Sequence, residues 1–220
     1  KTFYSAAAFN PTFPDFANED GSWPEDPNAN ETQNPLGRLT IKDIESNSYI
    51  NTNARITWTV IDGLKLSAFG SYTYNVKENS KYTPNNIKAQ GQSGIAEKSD
   101  NKSGVLLGNF TANYKKAFGK HYIDILGLAE LQDYKYTGFG AKSKQFGTNF
   151  FEYNNLGAGG EVKYGDVSSY SNGYSIASFM GRFNYSFADK YIATVNMRAD
   201  GSSKLGANNK WGFFPSASLA

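Results

Sequence analysis

Few side chains in this chain of 220 residues could perform covalent or metal chemistry. His121 is the only histidine, and the chain contains no cysteine. A transition-metal site needs several imidazole or thiolate ligands, and a Ser-His-Asp triad needs its histidine beside the nucleophile. A single histidine next to a tight turn satisfies neither requirement. The sequence therefore predicts no catalytic residue, no transition-metal site and no cofactor site.

Acidic residues crowd the first 26 positions of the chain. Carboxylate oxygens suit a hard cation such as Ca²⁺, but their spacing does not follow that of an EF-hand loop. A solvated or partner-facing loop is the favoured interpretation, and cation binding stays open. The residues are Asp15, Glu19, Asp20, Glu25 and Asp26.

The run Asp200-Gly201-Ser202-Ser203 could line a polar binding site. Asp-Gly is also a common turn pair, and serine hydroxyls commonly bind nearby backbone groups. A transition from strand to loop is therefore the favoured interpretation of this run.

Composition excludes several classes of protein. A net charge of +2 gives no field strong enough to indicate nucleic-acid binding. No apolar run approaches the roughly 20 residues that a membrane-spanning helix needs. Aromatic residues make up 15% of the chain, which leaves open a membrane barrel with aromatic girdles, whose alternating strands escape hydropathy tests.

From Ser48 onward, apolar and polar side chains alternate along the chain with a period of two, which predicts β-strands. The predicted strands have ten or more residues, against about 5–6 in ordinary sheets and about 9–11 for a tilted strand that crosses a membrane. Their apolar faces carry no charge in mid-strand. The apolar sets are 50–60, 64–76, 106–114, 123–131, 177–187 and 191–199, and a seventh strand begins near Gly212.

Short and long connections alternate between these strands. Tight turns are predicted at Ile61-Asp62-Gly63, Phe118-Gly119-Lys120 and Ala188-Asp189, and long polar loops at roughly 79–103, 138–173 and 201–210. Outer-membrane barrels place short turns on the periplasmic side and longer loops outside. The pattern predicts an all-β fold, an antiparallel up-and-down transmembrane β-barrel wall over residues 48–220. Residues 1–47, rich in proline, are predicted to form a long extracellular loop with a possible strand end near Phe3 to Phe9.

The polar faces of the strands would line a watery lumen. Arg55, Glu130, Arg182, Arg198 and Asp200 are the candidate ligand-binding residues on these faces. Structural networks that include Glu130 or Asp124 explain the same charges equally well. Aromatic residues near the short turns fit a girdle at the membrane interface; they are Trp58, Tyr114, Tyr122, Tyr185, Phe187 and Tyr191.

The last fifth of the chain carries a specific series of motifs. They are Arg182-Phe183-Asn184-Tyr185, Asp189-Lys190-Tyr191, Arg198 to Ser203, and Trp211-Gly212-Phe213-Phe214-Pro215-Ser216. In this order and spacing they closely resemble the SusC/RagA-type TonB-dependent outer-membrane transporters of Bacteroidetes. Weaker similarity extends upstream through Asn10-Pro11-Thr12, Asn18 to Ser22, Asn34-Pro35-Leu36 and Ile61 to Leu64. One departure is Leu205, where the family more often has an aromatic residue.

The resemblance implies a parent barrel of about 22 strands with a plugged lumen in the outer membrane of a Gram-negative bacterium. It implies a SusD-like surface lipoprotein as a lid, and energy from the proton-motive force through TonB-ExbB-ExbD. The substrates would be oligosaccharides or peptides. No plug or TonB box is recognisable in these residues, and both ends of the sequence suggest a piece of a longer protein. The chain would then supply about a third of the barrel wall.

Three other hypotheses share part of this pattern. A passive porin would have the same strands without a plug or TonB box, so the sequence upstream of Lys1 would separate the two. An outer-membrane enzyme would need a nucleophile beside its base, for which His121 is badly placed. A soluble, glycan-binding β-sandwich also alternates, but strand length and loop asymmetry count against it. About seven strands would not close on themselves, so we expect order only beside the rest of a barrel.

Overall fold

Long antiparallel strands dominate the computed structural model, which describes residues 6–14, 16–26, 34–89 and 92–220. Seven long strands follow one another in a single sheet in chain order, and a short strand, β5, pairs with β4. The predicted all-β, antiparallel up-and-down fold is therefore confirmed. The strands are β1 (Lys42–Ile61), β2 (Leu64–Ala89), β3 (Gln92–Phe118), β4 (His121–Phe146), β5 (Gly159–Glu161), β6 (Val167–Phe187), β7 (Tyr191–Ser202) and β8 (Trp211–Leu219).

The period-two pattern sets which side chains share a face. Phe179 pairs with Ala199 and Phe183 with Val195, while Ser178 pairs with Asp200 on the opposite face. In β8, Phe213 pairs with Ala199 on the apolar face, whereas Phe214 pairs with Arg198 on the polar face. A slip of one residue would exchange every apolar side chain for a polar one, so the alternation itself specifies this register.

The predicted tight turns lie where the alternation places them. Asp62 and Gly63 join β1 to β2, Gly119 and Lys120 join β3 to β4, and residues 188–190 join β6 to β7. Gly63 has φ of +83°, and its carbonyl accepts the Lys115 N–H at 2.8 Å. A residue with a Cβ would be strained in this conformation.

Two of the long-loop predictions are wrong in part. β2 continues to Ala89 and β3 begins at Gln92, so most of the predicted loop at 79–103 is strand. β4 reaches Phe146 and β6 begins at Val167, which shortens the predicted loop at 138–173 at both ends. These stretches lack the apolar alternation on which the strand prediction depended. Pro84, a residue uncommon in strands, added to the error.

The start of the chain also differs from expectation. β1 begins at Lys42, six positions before Ser48, where the predicted alternation starts. Residues 6–8 are helical where a strand end was predicted, and Phe3 lies outside the described residues. A second short helix, Pro35–Arg38, is capped by the Asn34 side chain, which accepts the N–H of Leu36 at 2.9 Å.

Within the described part of the chain, no helix is long and apolar enough to cross a membrane.

Contacts divide the chain into two compact units, each built from parts of several strands. Unit 1 comprises Lys1–Ser48, Val76–Asn101 and Thr137–Tyr170, and unit 2 comprises Tyr49–Asn75, Lys102–Tyr136 and Ser171–Ala220.

Unit 1 contains a small apolar core. Tyr82, Ala96 and Phe146 are buried, and Tyr153 and Leu156 pack against them. The loop that carries Tyr153 and Leu156 is further held by Asn149, whose Oδ1 accepts the Tyr82 hydroxyl and the Asn85 N–H, both at 2.8 Å. This loop is therefore packed against the β2–β3 hairpin.

A carboxylate orders the loop between β5 and β6 in unit 1. Asp166 accepts the Lys163 N–H at 2.7 Å, and the Lys144 ammonium lies 3.2 Å from its other oxygen. The Lys163 N–H, followed by the Lys144 side chain, holds the pKa of Asp166 below its ordinary 3.8.

We therefore expect acid to loosen this loop only at a pH below the ordinary carboxyl pKa of 3.8. A carboxyl whose pKa is lowered by folding stabilises the folded loop above its unfolded pKa, and this contribution is lost as the pH falls through the lowered value. The protection factors of the Lys163 and Asp166 amides, which correct for the pH dependence of intrinsic exchange, should stay constant down to about pH 4 and fall below it. Asp166→Asn, which removes the titrating group, should make the protection factor of the Lys163 amide insensitive to pH in that range. A loop that opens in the wild type well above pH 4 would contradict this account.

Unit 2 exposes one apolar face. Ile56, Trp58 and Met197 are 73%, 62% and 59% exposed, although each belongs to the face predicted to be apolar. A contiguous exposed apolar surface of this kind marks contact with a membrane or a partner. The opposite face carries the polar and charged side chains.

Candidate functional site

The candidate site lies on the polar face of unit 2, where three strands bring polar and charged side chains together. Glu130 comes from β4, Ser178 from β6, and Arg198 and Asp200 from β7. These residues line a concave surface that encloses a volume of about 460 Å³, and Phe214 of β8 lines it as well. Each occupies an even position of its strand, so the alternation turns all of them to the same face.

An ion pair forms the centre of this concave surface. The Arg198 Nε donates to both carboxylate oxygens of Asp200, at 2.9 and 2.8 Å. Arg198 Nη2 also donates to the Ser178 hydroxyl at 3.4 Å. The guanidinium therefore keeps further N–H groups for a ligand, because it has five in all.

Glu130 is the second carboxylate at the surface. Its two oxygens accept the side-chain amides of Asn109, at 3.4 Å, and Gln132, at 3.0 Å. The Tyr134 hydroxyl donates in turn to the Gln132 side-chain oxygen. These hydrogen bonds orient the Glu130 carboxylate before any ligand arrives.

Stacked tyrosines continue the polar face beside the carboxylates. The rings of Tyr134 and Tyr174 are 4.4 Å apart between centroids and nearly parallel, and Tyr136 lies 6.3 Å from Tyr174. The Lys204 ammonium sits 3.6 Å from the centroid of Tyr174. A cation at this distance from an aromatic face is attracted to it.

Two of the five predicted ligand-binding residues lie in other surroundings. Arg182 is 3.7 Å from Asp124, a buried carboxylate that also accepts the Asn113 amide at 2.7 Å. Arg55 lies over the ring of Phe69, 4.8 Å from its centroid. The structure thus brings together Glu130, Arg198 and Asp200, and it places Arg55 and Arg182 with other partners.

The sequence analysis missed several residues of this surface. Ser178, Gln132 and Phe214 line it, and the three tyrosines and Lys204 lie beside it. Strand position was the available signal, because Gln132, Tyr134, Tyr136, Tyr174 and Ser178 all share the even positions of their strands.

The serines of the Asp200-Gly201-Ser202-Ser203 run bind backbone groups. The Ser203 N–H donates to the Ser175 carbonyl at 2.9 Å, and the Ser203 hydroxyl accepts the Ser175 N–H at 2.8 Å. This geometry agrees with a strand-to-loop transition for the serines. Asp200 alone of the run contributes a charge to the candidate site.

His121 belongs to an aromatic cluster at a short turn. Its Nδ1 lies 2.6 Å from the Tyr185 hydroxyl, and its ring packs against Phe118 and Phe187 at 5.4 and 4.9 Å between centroids. These contacts give the histidine a packing role at the turn.

Two of the acidic residues near the start of the chain, Asp20 and Asp26, accept hydrogen bonds from other residues of that segment. The Asp20 carboxylate accepts the N–H and the hydroxyl of Ser22 at 2.9 and 2.6 Å, and Asp26 accepts the Asn10 amide at 3.2 Å. Asp15 lies outside the described residues. Among the residues that the structure does describe, no group of three His, Cys, Asp or Glu side chains could hold a metal ion.

Comparison with known proteins finds that the chain is similar to TonB-dependent receptors. TonB-dependent receptor P3 of Formosa agariphila is 33% identical over 207 residues, which are 92% of this chain and 20% of the receptor. TonB-dependent receptor SusC of Bacteroides thetaiotaomicron is 27% identical over 97% of this chain and 23% of its own length. No family model matches the chain. The chain spans about a fifth of the length of the curated relatives that it matches.

Solved structures share the fold. The RagAB peptide transporter aligns with 91% of this chain at a TM-score of 0.78 and 23% identity, covering 23% of the transporter chain. The RagAB peptide importer in its closed-closed state aligns with 84% of this chain at a TM-score of 0.76 and 25% identity, covering 21% of that chain. The antiparallel sheet described above is therefore the fold of one segment of these larger proteins.

Proposed function

We propose that this chain, a SusC/RagA-like segment of a TonB-dependent receptor, forms part of the wall of an outer-membrane importer. The observation that carries the proposal is the 33% identity to a TonB-dependent receptor across 92% of the chain. Physical support comes from the strands of unit 2, which present an exposed apolar face and an opposite face of charged side chains. Lipid would contact the first face, and a watery lumen would contact the second.

The wall would act without covalent chemistry. Its polar face would bind the passing substrate weakly, and the rest of the receptor would couple passage to energy from the proton-motive force through TonB-ExbB-ExbD. The substrate would be an oligosaccharide or a peptide. Glu130, Arg198 and Asp200 are the proposed substrate contacts, because they share one concave surface.

The proposed partners follow from the same relatives. A SusD-like surface lipoprotein would cover the receptor, since the chain resembles the SusC/RagA family and SusC and the RagAB peptide transporter are among the proteins similar to it. Purification of the native full-length receptor from detergent-solubilised outer membranes should recover such a lipoprotein in near-equal amount. A receptor recovered without any lipoprotein would argue against the lid.

Energy dependence is the decisive test of the proposed importer. Uptake of a labelled substrate into cells should fall to background when a protonophore collapses the proton-motive force or when TonB is deleted. A passive porin would continue to admit the substrate under both conditions. Recovery of the full-length protein in the soluble fraction without detergent would instead support a soluble glycan-binding domain.

A further inference from the structure

We propose that Glu130, Ser178, Arg198 and Asp200 form a subsite for a neutral oligosaccharide. The proposal rests on the proposed import function and names the substrate class of that same wall. Three observations support it. The residues lie at the same distance from the short turns, positive and negative charges occur together, and several of their hydrogen-bonding groups have room for a ligand.

Three strands bring the subsite residues to one level. Glu130 lies nine positions from His121, the first residue of β4, and Asp200 lies nine positions from Tyr191, the first residue of β7. Ser178 lies nine positions from Phe187, the last residue of β6. All three ends adjoin short turns, and a tilted strand crosses a membrane in about 9–11 residues. The subsite therefore lies where the membrane-spanning part ends, on the side away from the short turns, which is the side that a substrate reaches first.

The charges of the subsite cancel when the neighbouring Lys204 is included. Glu130 and Asp200 supply two carboxylates, Arg198 supplies a guanidinium, and the Lys204 ammonium lies over the ring of Tyr174 on the same polar face. A strongly anionic or cationic ligand would meet a like charge as well as an opposite one. A neutral ligand that both donates and accepts hydrogen bonds suits this arrangement, because it pairs with each group without a net charge of its own.

Internal hydrogen bonds leave capacity for a ligand. Within the described part of the chain, only the Nε and Nη2 groups of Arg198 donate hydrogen bonds, and each carboxylate oxygen can accept more than one. The partners Asn109, Gln132 and Ser178 hold the charged groups in place, which reduces the entropy lost on binding. Sugar hydroxyls both donate and accept, so they match carboxylates and a guanidinium in one ligand.

An apolar surface adjoins the polar groups. The ring of Phe214 folds over Gly212, where a Cβ would approach the ring to 2.9 Å, and Ile176 and Leu205 line the same concavity. The C–H face of a pyranose or furanose ring can pack on such a surface while its hydroxyls reach the charged residues. Binding sites commonly combine an apolar lining with a few placed polar groups in this way.

Binding to the purified full-length receptor tests the subsite. The probes are neutral hexasaccharides built from glucose, fructose, galactose or mannose, a hexauronate, and a hexapeptide, each titrated by calorimetry. We expect at least one neutral hexasaccharide to bind. Asp200→Asn or Arg198→Gln should weaken that binding roughly tenfold or more, because hydrogen bonds to charged groups are lost. Binding of the hexauronate or the hexapeptide alone, or of no probe, would overturn the proposal.

Matched variants separate binding from assembly. Asn196→Ser changes a residue of β7 on the same polar face, hydrogen-bonded to Ser216 at 3.2 Å and outside the concave surface, and it should change affinity less than about twofold. Glu130→Gln provides a second test on another strand if the β7 variants fail to assemble, which heat-modifiable migration on gels would reveal. Assembled subsite variants that bind as tightly as the wild type would overturn the proposal.

The subsite and the import function can fail separately. Energy-dependent uptake of a uronate or a peptide that the subsite variants do not affect would support the importer and contradict the saccharide subsite. Binding of a neutral hexasaccharide that depends on Arg198 and Asp200, in a receptor whose uptake ignores a protonophore, would leave the subsite standing and remove the energised function.

Discussion

Gly63→Ala is expected to block assembly of the full-length receptor. Gly63 has φ of +83°, a conformation that costs an alanine about 1–2 kcal/mol. The new Cβ would also stand 2.2 Å from the Lys115 carbonyl oxygen, a backbone atom of β3 that cannot move without breaking its ladder. The two effects together should lower the amount of assembled receptor by about tenfold or more, since ~1.4 kcal/mol is already tenfold in an equilibrium.

Gly119→Ala is the matched control for this prediction. Gly119 also lies in a two-residue turn with positive φ, at +60°, but a Cβ there would meet nothing within 4 Å. Gly119→Ala should therefore be destabilised only by its backbone conformation, and it should assemble far better than Gly63→Ala. Heat-modifiable migration of outer-membrane fractions would measure both variants. Equal assembly of the two would show that the contact with Lys115 has no effect.

Tyr82→Ala is expected to release the loop at 147–158. Tyr82 is 1% exposed, and its ring meets Phe146 edge to face at 5.8 Å between centroids. Removal of a buried aromatic ring typically costs about 3–5 kcal/mol. The apolar core of unit 1 is small, so this loss should be enough to detach Tyr153 and Leu156 from it. Limited proteolysis of the full-length receptor should then cut within 147–158 many times faster than in the wild type.

Tyr82→Phe separates packing from hydrogen bonding at the same position. It keeps the ring against Phe146 and removes only the hydroxyl that Asn149 accepts at 2.8 Å, a loss of about 0.5–1.5 kcal/mol. Asn149 still accepts the Asn85 N–H, so the loop should stay protected. Rapid cleavage of Tyr82→Phe would mean that the hydroxyl, and not the ring, secures the loop.

The alternation of side chains was sufficient to predict that seven long strands exist and where three short turns join them. A strand with lipid on one side and water on the other must alternate apolar and polar residues, and this alternation is visible in the sequence. Gly63 and Gly119 marked turns for an equally local reason, because their positive φ favours glycine.

The same signal failed where both faces of a strand are polar. The stretch from Asn79 to Ser103 carries no apolar stripe, yet β2 and β3 run through most of it. Pairing there follows from the neighbouring strands and from the core around Tyr82 and Phe146, which are contacts between residues far apart in sequence. Propensity alone could not reveal them, because strand formation depends strongly on tertiary context.

For the candidate site, the sequence predicted which residues lie on polar faces, and the structure determined which of them lie together. The sequence placed Arg55, Glu130, Arg182, Arg198 and Asp200 on polar faces, since that depends only on odd and even positions within each strand. Which of them meet depends on the register between strands. The three-residue turn after Phe187 sets Ser178 opposite Asp200, and Asp124 draws Arg182 elsewhere. Periodicity is a property of one strand, whereas a binding site needs several strands in register, and only the tertiary structure decides that.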